Sequence, residues 1–162
     1  MKREYKDYNL ELNLPENFYL INPKKYKELN LKSIDQMNLI DAFAVKEEDV
    51  ISNIVSFYEC EDFEFDKINF DISLEKINDS YSSEENDIVI NHCIDYDFNG
   101  KKGLVVLLNQ NNEEEVFVMQ LYFEHNDATY CFNFYINQTL STIEEIEENC
   151  YFNTIKGIIN EI

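Results

Sequence analysis

The densest chemistry in the sequence lies in Asp95-x-Asp97-x-Asn99-Gly100, three oxygen-bearing side chains at alternate positions ahead of a glycine. That is the first half of a calcium-binding EF-hand loop, which needs a bidentate Glu at its twelfth position. Here the twelfth residue is Val106, and Lys101 and Lys102 place positive charge beside the would-be ion. Asn-Gly between apolar runs is also the strongest short-range signal for a β-hairpin. The hairpin is the preferred reading, with calcium binding or an enzymatic use of Asp95, Asp97 and Asn99 kept as the alternative. His92 and Cys93 are adjacent, so on a strand they point to opposite faces and cannot share a site. Asn91, Cys93, Asp95 and Asp97 can share a face, but such a ligand set suits no common metal. A Cys–His nucleophile pair would need Cys60, Cys131 or Cys150 to meet His92 or His125 in space, and no spacing supports that. Carboxylates are so abundant that a glycosidase-like pair carries no discriminating signal. No P-loop, dinucleotide fingerprint, HExxH or GxSxG pattern occurs. The expectation is a protein that is not an enzyme and uses no cofactor.

The four cysteines lie 33, 38 and 19 residues apart, without the close pair of a zinc or thioredoxin-type site. Free, buried thiols in a reducing cytoplasm are expected. Behind Met1-Lys2-Arg3 there is no apolar stretch of the kind a secretory signal carries. The longest apolar run, Leu104 to Leu108, is far short of a membrane span. With 21 Asn and 18 Ile the composition is that of a protein from an AT-rich genome, and a bacterial cytoplasmic protein is expected.

Thirteen Lys and Arg stand against 33 Asp and Glu, a net charge of −20. Nucleic acid and anionic membranes are therefore expected not to be partners, since both are held by clustered bases. The charge is uneven. Residues 1–32 hold seven bases and five acids, a net of +2, whereas the remaining 130 residues hold six bases and 28 acids, a net of −22. Acids cluster at Glu59, Glu61, Asp62, Glu64 and Asp66, at Glu113, Glu114 and Glu115, and again between Glu144 and Glu148. The first two clusters are the candidate partner-binding residues, because an acidic face speeds association with a basic protein. A solvated, self-repelling surface is the plainer use of the same charge.

These residues must be positioned by elements that the hydropathy pattern outlines. With 162 residues, 44% apolar and 14% aromatic, and with no repeat or Gly/Pro-rich linker, one folded domain spanning 1–162 is expected. Residues 9–14 alternate as a half-buried strand ending at Pro15, and Pro23 to Asn30 has the makings of a short helix. Residues 53–60 are read as a strand because β-branched and aromatic residues dominate them. From Phe63 to Leu74 the alternation changes phase at Asp66-Lys67, which implies a turn or bulge there, and Asn78 to Asn86 reads as a polar loop. Runs at 88–98, 103–110, 115–124 and 128–136 follow, joined by turns at Asn99-Gly100-Lys101-Lys102, Asn111-Asn112-Glu113 and His125-Asn126-Asp127. They describe an antiparallel meander.

On 115–136, Phe117, Met119, Leu121 and Phe123 share one face with Tyr130, Phe132, Phe134 and Ile136. Gln120, Tyr122, Asn133 and Tyr135 mark the other as a semi-polar face, either plainly exposed or a binding surface. The chain ends in one helix whose apolar stripe runs from Ile143 through Cys150 to Ile162, with overlapping capping boxes at Ser141/Glu144 and Thr142/Glu145. Its four early glutamates suit the positive end of the helix dipole. The fold class expected is α+β, an antiparallel sheet packed against a C-terminal α-helix as a two-layer sandwich.

This order of elements resembles the PsbP-like fold family. Residues Leu14-Pro15-Glu16-Asn17-Phe18 are similar to that family's opening of strand, Leu-Pro, small loop and aromatic. Phe98-Asn99-Gly100, the strand Val116–Glu124, the turn, the strand Thr129–Ile136 and the terminal helix with Phe152 and Ile155 match its back half. Phe18 stands where many relatives carry Trp. The family includes the photosystem oxygen-evolving subunit P, a nuclear-import factor, DcrB-like proteins and Eag-type chaperones of secreted effectors. The resemblance implies a non-enzymatic partner-binding protein and carries over no site residues. Combined with the charge, the expectation is a basic protein partner: a toxin neutralised by an immunity protein, or alternatively a secreted effector held by a chaperone or adaptor.

Overall fold

Runs of alternating β-branched and aromatic residues make this chain chiefly sheet, and the structure, a computed structural model, describes residues 1–22, 37–60, 88–111 and 115–162. A short ribbon, β1 (Lys2–Tyr5) and β2 (Leu10–Asn13), opens the chain around a single 3₁₀ turn, Lys6–Tyr8. It is followed by β3 (Phe18–Leu20), β4 (Met37–Glu47), β5 (Val50–Cys60), β6 (Ile88–Phe98), β7 (Lys101–Asn111), β8 (Glu115–His125) and β9 (Ala128–Ile136). Two helices, α1 (Ile143–Glu148) and α2 (Cys150–Asn160), close it. Among the described residues β3 to β9 form one sheet in the order β3-β4-β5-β9-β8-β7-β6, antiparallel at every pairing. The expected meander is therefore present as β6 to β9. It is joined to a second meander, β3 to β5, by the pairing of β5 with β9.

Three of the hairpins turn on two residues at positive φ: Glu48-Asp49 (50° and 66°), Asn99-Gly100 (54° and 89°) and Asn126-Asp127 (49° and 61°). Such type I′ turns match the twist of the flanking strands. Lys101 and Lys102, expected in the turn, already belong to β7. Residues 53–60 are strand as expected, and the alternation over 9–14 is seen in β2, where Leu10 and Leu12 are buried and Glu11 is exposed, and in Leu14, buried just beyond it. Strand β4 has no counterpart among the expected elements. The expected helix over Pro23–Asn30, the phase change between Phe63 and Leu74 and the loop Asn78–Asn86 lie outside the described residues.

The core lies on one face of the sheet, beneath the ribbon and the helices. Cross-strand partners carry it in rows: Val55, Phe134, Met119 and Leu107 form one, and Phe57, Phe132, Leu121 and Val105 the next. Leu10, Leu12 and Leu14 meet it from the ribbon, and Ile146, Phe152, Ile155, Ile158 and Ile159 from the helices. Phe57 is its centre, with ring centroids 4.5 Å from Phe132 and 5.7 Å from Tyr130. Each such buried side chain contributes about 1.5–3 kcal/mol by leaving water. The α+β architecture expected from the sequence is thus the one observed. Among the described residues no helix is long and apolar enough to cross a membrane.

The terminal helix departs from expectation in one respect: it is broken. Asn149 is extended (φ −69°, ψ 129°), ends α1, and starts α2 by accepting the Phe152 N–H on its side-chain oxygen at 3.0 Å. An Asn that can cap the next turn competes with the backbone of the helix it interrupts. Of the two overlapping boxes, Thr142/Glu145 forms in its first half: Thr142 Oγ1 accepts the Glu145 N–H at 3.2 Å, while the Glu145 carboxylate reaches one residue past the cap to accept the Ser141 N–H at 3.4 Å. Two corollaries correct the expectation of one helix. Glu147 and Glu148 sit at the C-terminal end of α1, where the dipole gives them no support, and Cys150, placed on the apolar stripe, is exposed.

Candidate functional site

Of the acidic residues singled out for partner binding, Glu59 lies half-buried on β5 opposite Tyr130, and Glu115 opens β8 opposite Asn111. Glu61, Asp62, Glu64, Asp66, Glu113 and Glu114 lie outside the described residues. Asp95 and Asp97 are exposed on β6. The Asp97 carboxylate accepts the Gly100 N–H at 2.6 Å, so it holds the hairpin turn, while Asn99 donates its side-chain amide to the Asn160 carbonyl at 3.5 Å. This is the hairpin geometry expected of Asn-Gly.

The semi-polar sheet face is not exposed. A row of cross-strand partners runs across it, Ala42, Ser56, Asn133, Gln120, Val106 and Cys93, and all six are buried. Its polar groups satisfy one another sideways. The Tyr122 hydroxyl donates to Gln120 Oε1 at 2.7 Å, Gln120 Nε2 donates to Asn133 Oδ1 at 3.0 Å, and Ser56 Oγ donates to the Asn133 carbonyl at 3.3 Å. Polar side chains paired in this way can be buried at little cost. Leu104, Val106, Leu108 and Val118 complete the face as a second apolar cluster. One sequence signal was available for this: the unbroken run Leu104 to Leu108 lacks the alternation of a half-exposed strand, and continuous apolar strands are buried on both faces.

Cys60, Cys93 and Cys131 stand on that buried face as free thiols. Burial, with the Asp95 charge in support, pushes the Cys93 thiol up to about 11. Burial and a hydrogen bond with Cys60 raise Cys131 well above the ordinary thiol range. Protonated thiols of this kind are poor nucleophiles and poor metal ligands.

A charged cluster that no sequence motif announces ties the ribbon to the sheet. Asp41, 3% exposed at an irregularity of β4, accepts from Arg3 Nε at 3.0 Å and from the Tyr5 hydroxyl at 2.8 Å, both on Oδ2. Its Oδ1 accepts the Ala42 N–H at 2.9 Å. Burial, then the hydrogen bond to Asp41, raises the Tyr5 phenol far above its ordinary value. The partners stand 38 and 36 residues away in sequence, so nothing local points to them.

The exposed apolar side chains have a distribution of their own. Tyr19 (47%) and Ile51 (57%) stand on the face of the sheet that carries Lys46, whereas Leu20 (43%) and Val50 (66%) stand on the opposite face, that of Phe43 and Glu47. Ile51 pairs with Lys46, whose ammonium lies 4.4 Å from the centre of the Tyr19 ring. Glu47, Glu48 and Asp49 rim the same end, all exposed. The backbone here is fixed: Lys46 N–H donates to the Asn17 carbonyl at 3.0 Å, Ser52 Oγ to the Val45 carbonyl at 3.0 Å, and the Tyr151 hydroxyl to Glu47 Oε1 at 3.4 Å.

No family model matches the chain, and no curated protein matches it. Among solved structures it is similar to PA94 from Pseudomonas aeruginosa, a protein of unknown function described as a candidate regulator. The TM-score is 0.50 at 9% identity, over 90% of this chain and 96% of that one. At that identity the likeness is one of fold: PA94 and this chain share the arrangement of strands and helices over nearly their whole lengths.

Proposed function

We propose that this chain is a non-enzymatic protein-binding protein whose acidic surface receives a basic protein partner. The observation that carries this is the state of its carboxylates. Glu4, Asp7, Glu16, Asp95, Asp127 and Glu161 are all exposed. Among the described residues only Glu11 and Asp41 stand in an ion pair. The negative field of a −20 chain is therefore not cancelled internally and is available to a partner of opposite sign. The PsbP-like resemblance points the same way, toward partner binding without catalysis.

Two roles fit such a surface. An immunity protein that neutralises a basic toxin would bind through the field itself. A chaperone or adaptor for a secreted effector would also grip apolar side chains, of which Tyr19, Leu20, Val50 and Ile51 are exposed. The test is to co-purify the protein with the products of adjacent genes and titrate the captured partner at low and high salt. Binding that collapses as salt rises, and that weakens when Glu59 and Glu115 are reversed to Lys, supports the immunity role. Binding that persists in high salt supports the chaperone. A captured partner that is acidic, or one indifferent to charge reversal anywhere on the surface, sinks the acidic-surface reading.

A further inference from the structure

Asp97-Phe98-Asn99-Gly100 carries a chemistry that partner binding leaves unused. Of the 21 asparagines, only Asn99 precedes a glycine. An asparagine so placed can close on its own chain. The nitrogen of the following residue loses its proton to base and attacks the side-chain amide carbon. The Cγ–Nδ2 bond breaks, and the departing nitrogen takes up a proton and leaves as ammonia. Water then opens the five-membered imide at either carbonyl, giving aspartate or isoaspartate. A glycine nitrogen is the best placed to attack, because no side chain beside it blocks a close approach.

Both reacting groups are restrained in the folded chain. Gly100 N–H donates to Asp97 Oδ1 at 2.6 Å, so a carboxylate holds the proton that must leave. Losing it would set a nitrogen anion against that carboxylate, whereas the present contact is a short, charge-assisted hydrogen bond. Asn99 (φ 54°) and Gly100 (φ 89°) form a turn closed by the pairing of Phe98 with Lys101. The Asn99 side-chain amide is turned toward the Asn160 carbonyl at 3.5 Å. We infer that Asn99 is a deamidation site of this chain, and that Asp97 guards it by keeping the proton on the Gly100 nitrogen. Asp97 acts through Gly100 and does not touch the amide that reacts. Conversion would do more than add a negative charge. Isoaspartate lengthens the backbone of a two-residue turn by one methylene, which cannot keep Phe98 opposite Lys101. The amide that reaches Asn160 is lost as well.

The full chain is tested by ageing it in warm, mildly alkaline buffer beside a synthetic peptide of residues 95–102. Intact mass follows conversion of amide to acid, and digestion maps isoaspartate to its residue. The folded chain is expected to convert about a hundred-fold more slowly than the peptide, the turn and Asp97 each supplying about ten-fold. Asp97→Ala should therefore speed conversion about ten-fold, the scale of one hydrogen bond to a charged group. Asp97→Asn, which keeps an acceptor without the charge, should fall between the two. Asn99→Gly, a residue that suits positive φ, should abolish the isoaspartate signal. Asp97 and Asn99 are both exposed, and an unchanged melting curve for each variant certifies its fold. Three results would overturn the inference: folded chain converting at the peptide's rate, isoaspartate arising first at another asparagine, or an Asp97→Ala variant that melts like the parent and ages no faster. If Asp97→Ala melts lower, Asp97→Asn decides, and ageing at the parent's rate overturns the role of Asp97.

Discussion

Asp41 shows how one side chain can hold two layers together. Its carboxylate is buried on β4, and its partners come from the ribbon that crosses the core. Replacing it with Ala leaves the Tyr5 hydroxyl buried without an acceptor, while Arg3, whose side chain is 44% exposed, recovers water. We expect Asp41→Ala to cost about 1.5–3 kcal/mol, the range for a hydrogen bond to a charged group, read as a lower midpoint in urea with an unchanged slope. Titration follows from the same burial. Cys93, Cys131 and Tyr5 all have raised pKa values in the folded chain. The unfolded chain then releases these protons first as pH rises. Stability is whole below the ordinary thiol value of 9.0 and is lost above it, through about 11 for Cys93. The melting temperature should fall between pH 9 and 11, and Cys93→Val should flatten part of that fall; a flat profile in the parent protein would refute it. The sequence displays these residues as isolated letters. Free thiols are legible from their spacing, but the destination of Asp41 is not, because its partners stand 38 and 36 residues away.

At the level of elements, legibility follows local chemistry. Asn99-Gly100 and Asn126-Asp127 are residue types that accept positive φ, and both turns stand where the sequence places them. Glu48-Asp49 adopts the same geometry with a Glu, a type that seldom does so, and that hides β4 along with the turn. Asn149 reads as one more helical position until its side chain is found capping the following turn. Substitution is tightly restricted at Gly103 in β7. A Cβ added there would run into the Tyr122 carbonyl oxygen and the Phe98 ring. Neither can withdraw, since one is backbone in the neighbouring strand and the other is fully buried. Gly103→Ala should therefore destabilise by about 1–3 kcal/mol. The same change at Gly157, where an added Cβ meets nothing within 4 Å, should stabilise α2 by about 1 kcal/mol. Thermal melts of the two variants, shifting in opposite directions, would check both.

At the scale of the whole molecule charge dominates, and composition alone displays it. The imbalance of 33 acids against 13 bases survives folding, because most of the described carboxylates face outward, Asp41 being the buried exception, with two ion pairs among them. Such a chain repels itself, more strongly when folded than when extended. Raising sodium chloride from about 0.01 to 0.5 M shortens the screening length several-fold, and the melting temperature should rise with it. A fall over that range would mean that attractive pairs outweigh the repulsion. What composition does not convey is the arrangement of the uncharged surface. The face carrying Gln120, Asn133 and Tyr122 is interior despite its polar side chains, while Tyr19, Leu20, Val50 and Ile51 are exposed.

The pairing of β5 with β9 carries a consequence for how the chain assembles. The two strands are joined by Ser56 to Asn133 and Asn53 to Tyr135, across 77 and 82 residues. Hairpins between adjacent strands can form quickly, but the seam must wait for residues far apart in sequence to meet. Until it does, β5 and β9 are open edges bearing Val55, Phe57, Phe132 and Phe134, aromatic and β-branched residues of the kind that template intermolecular strand addition. Refolding should be slow for a domain of this length, and it should lose yield steeply with protein concentration. The repulsion between like-charged chains, a burden to the finished fold, then serves to hold two half-built sheets apart.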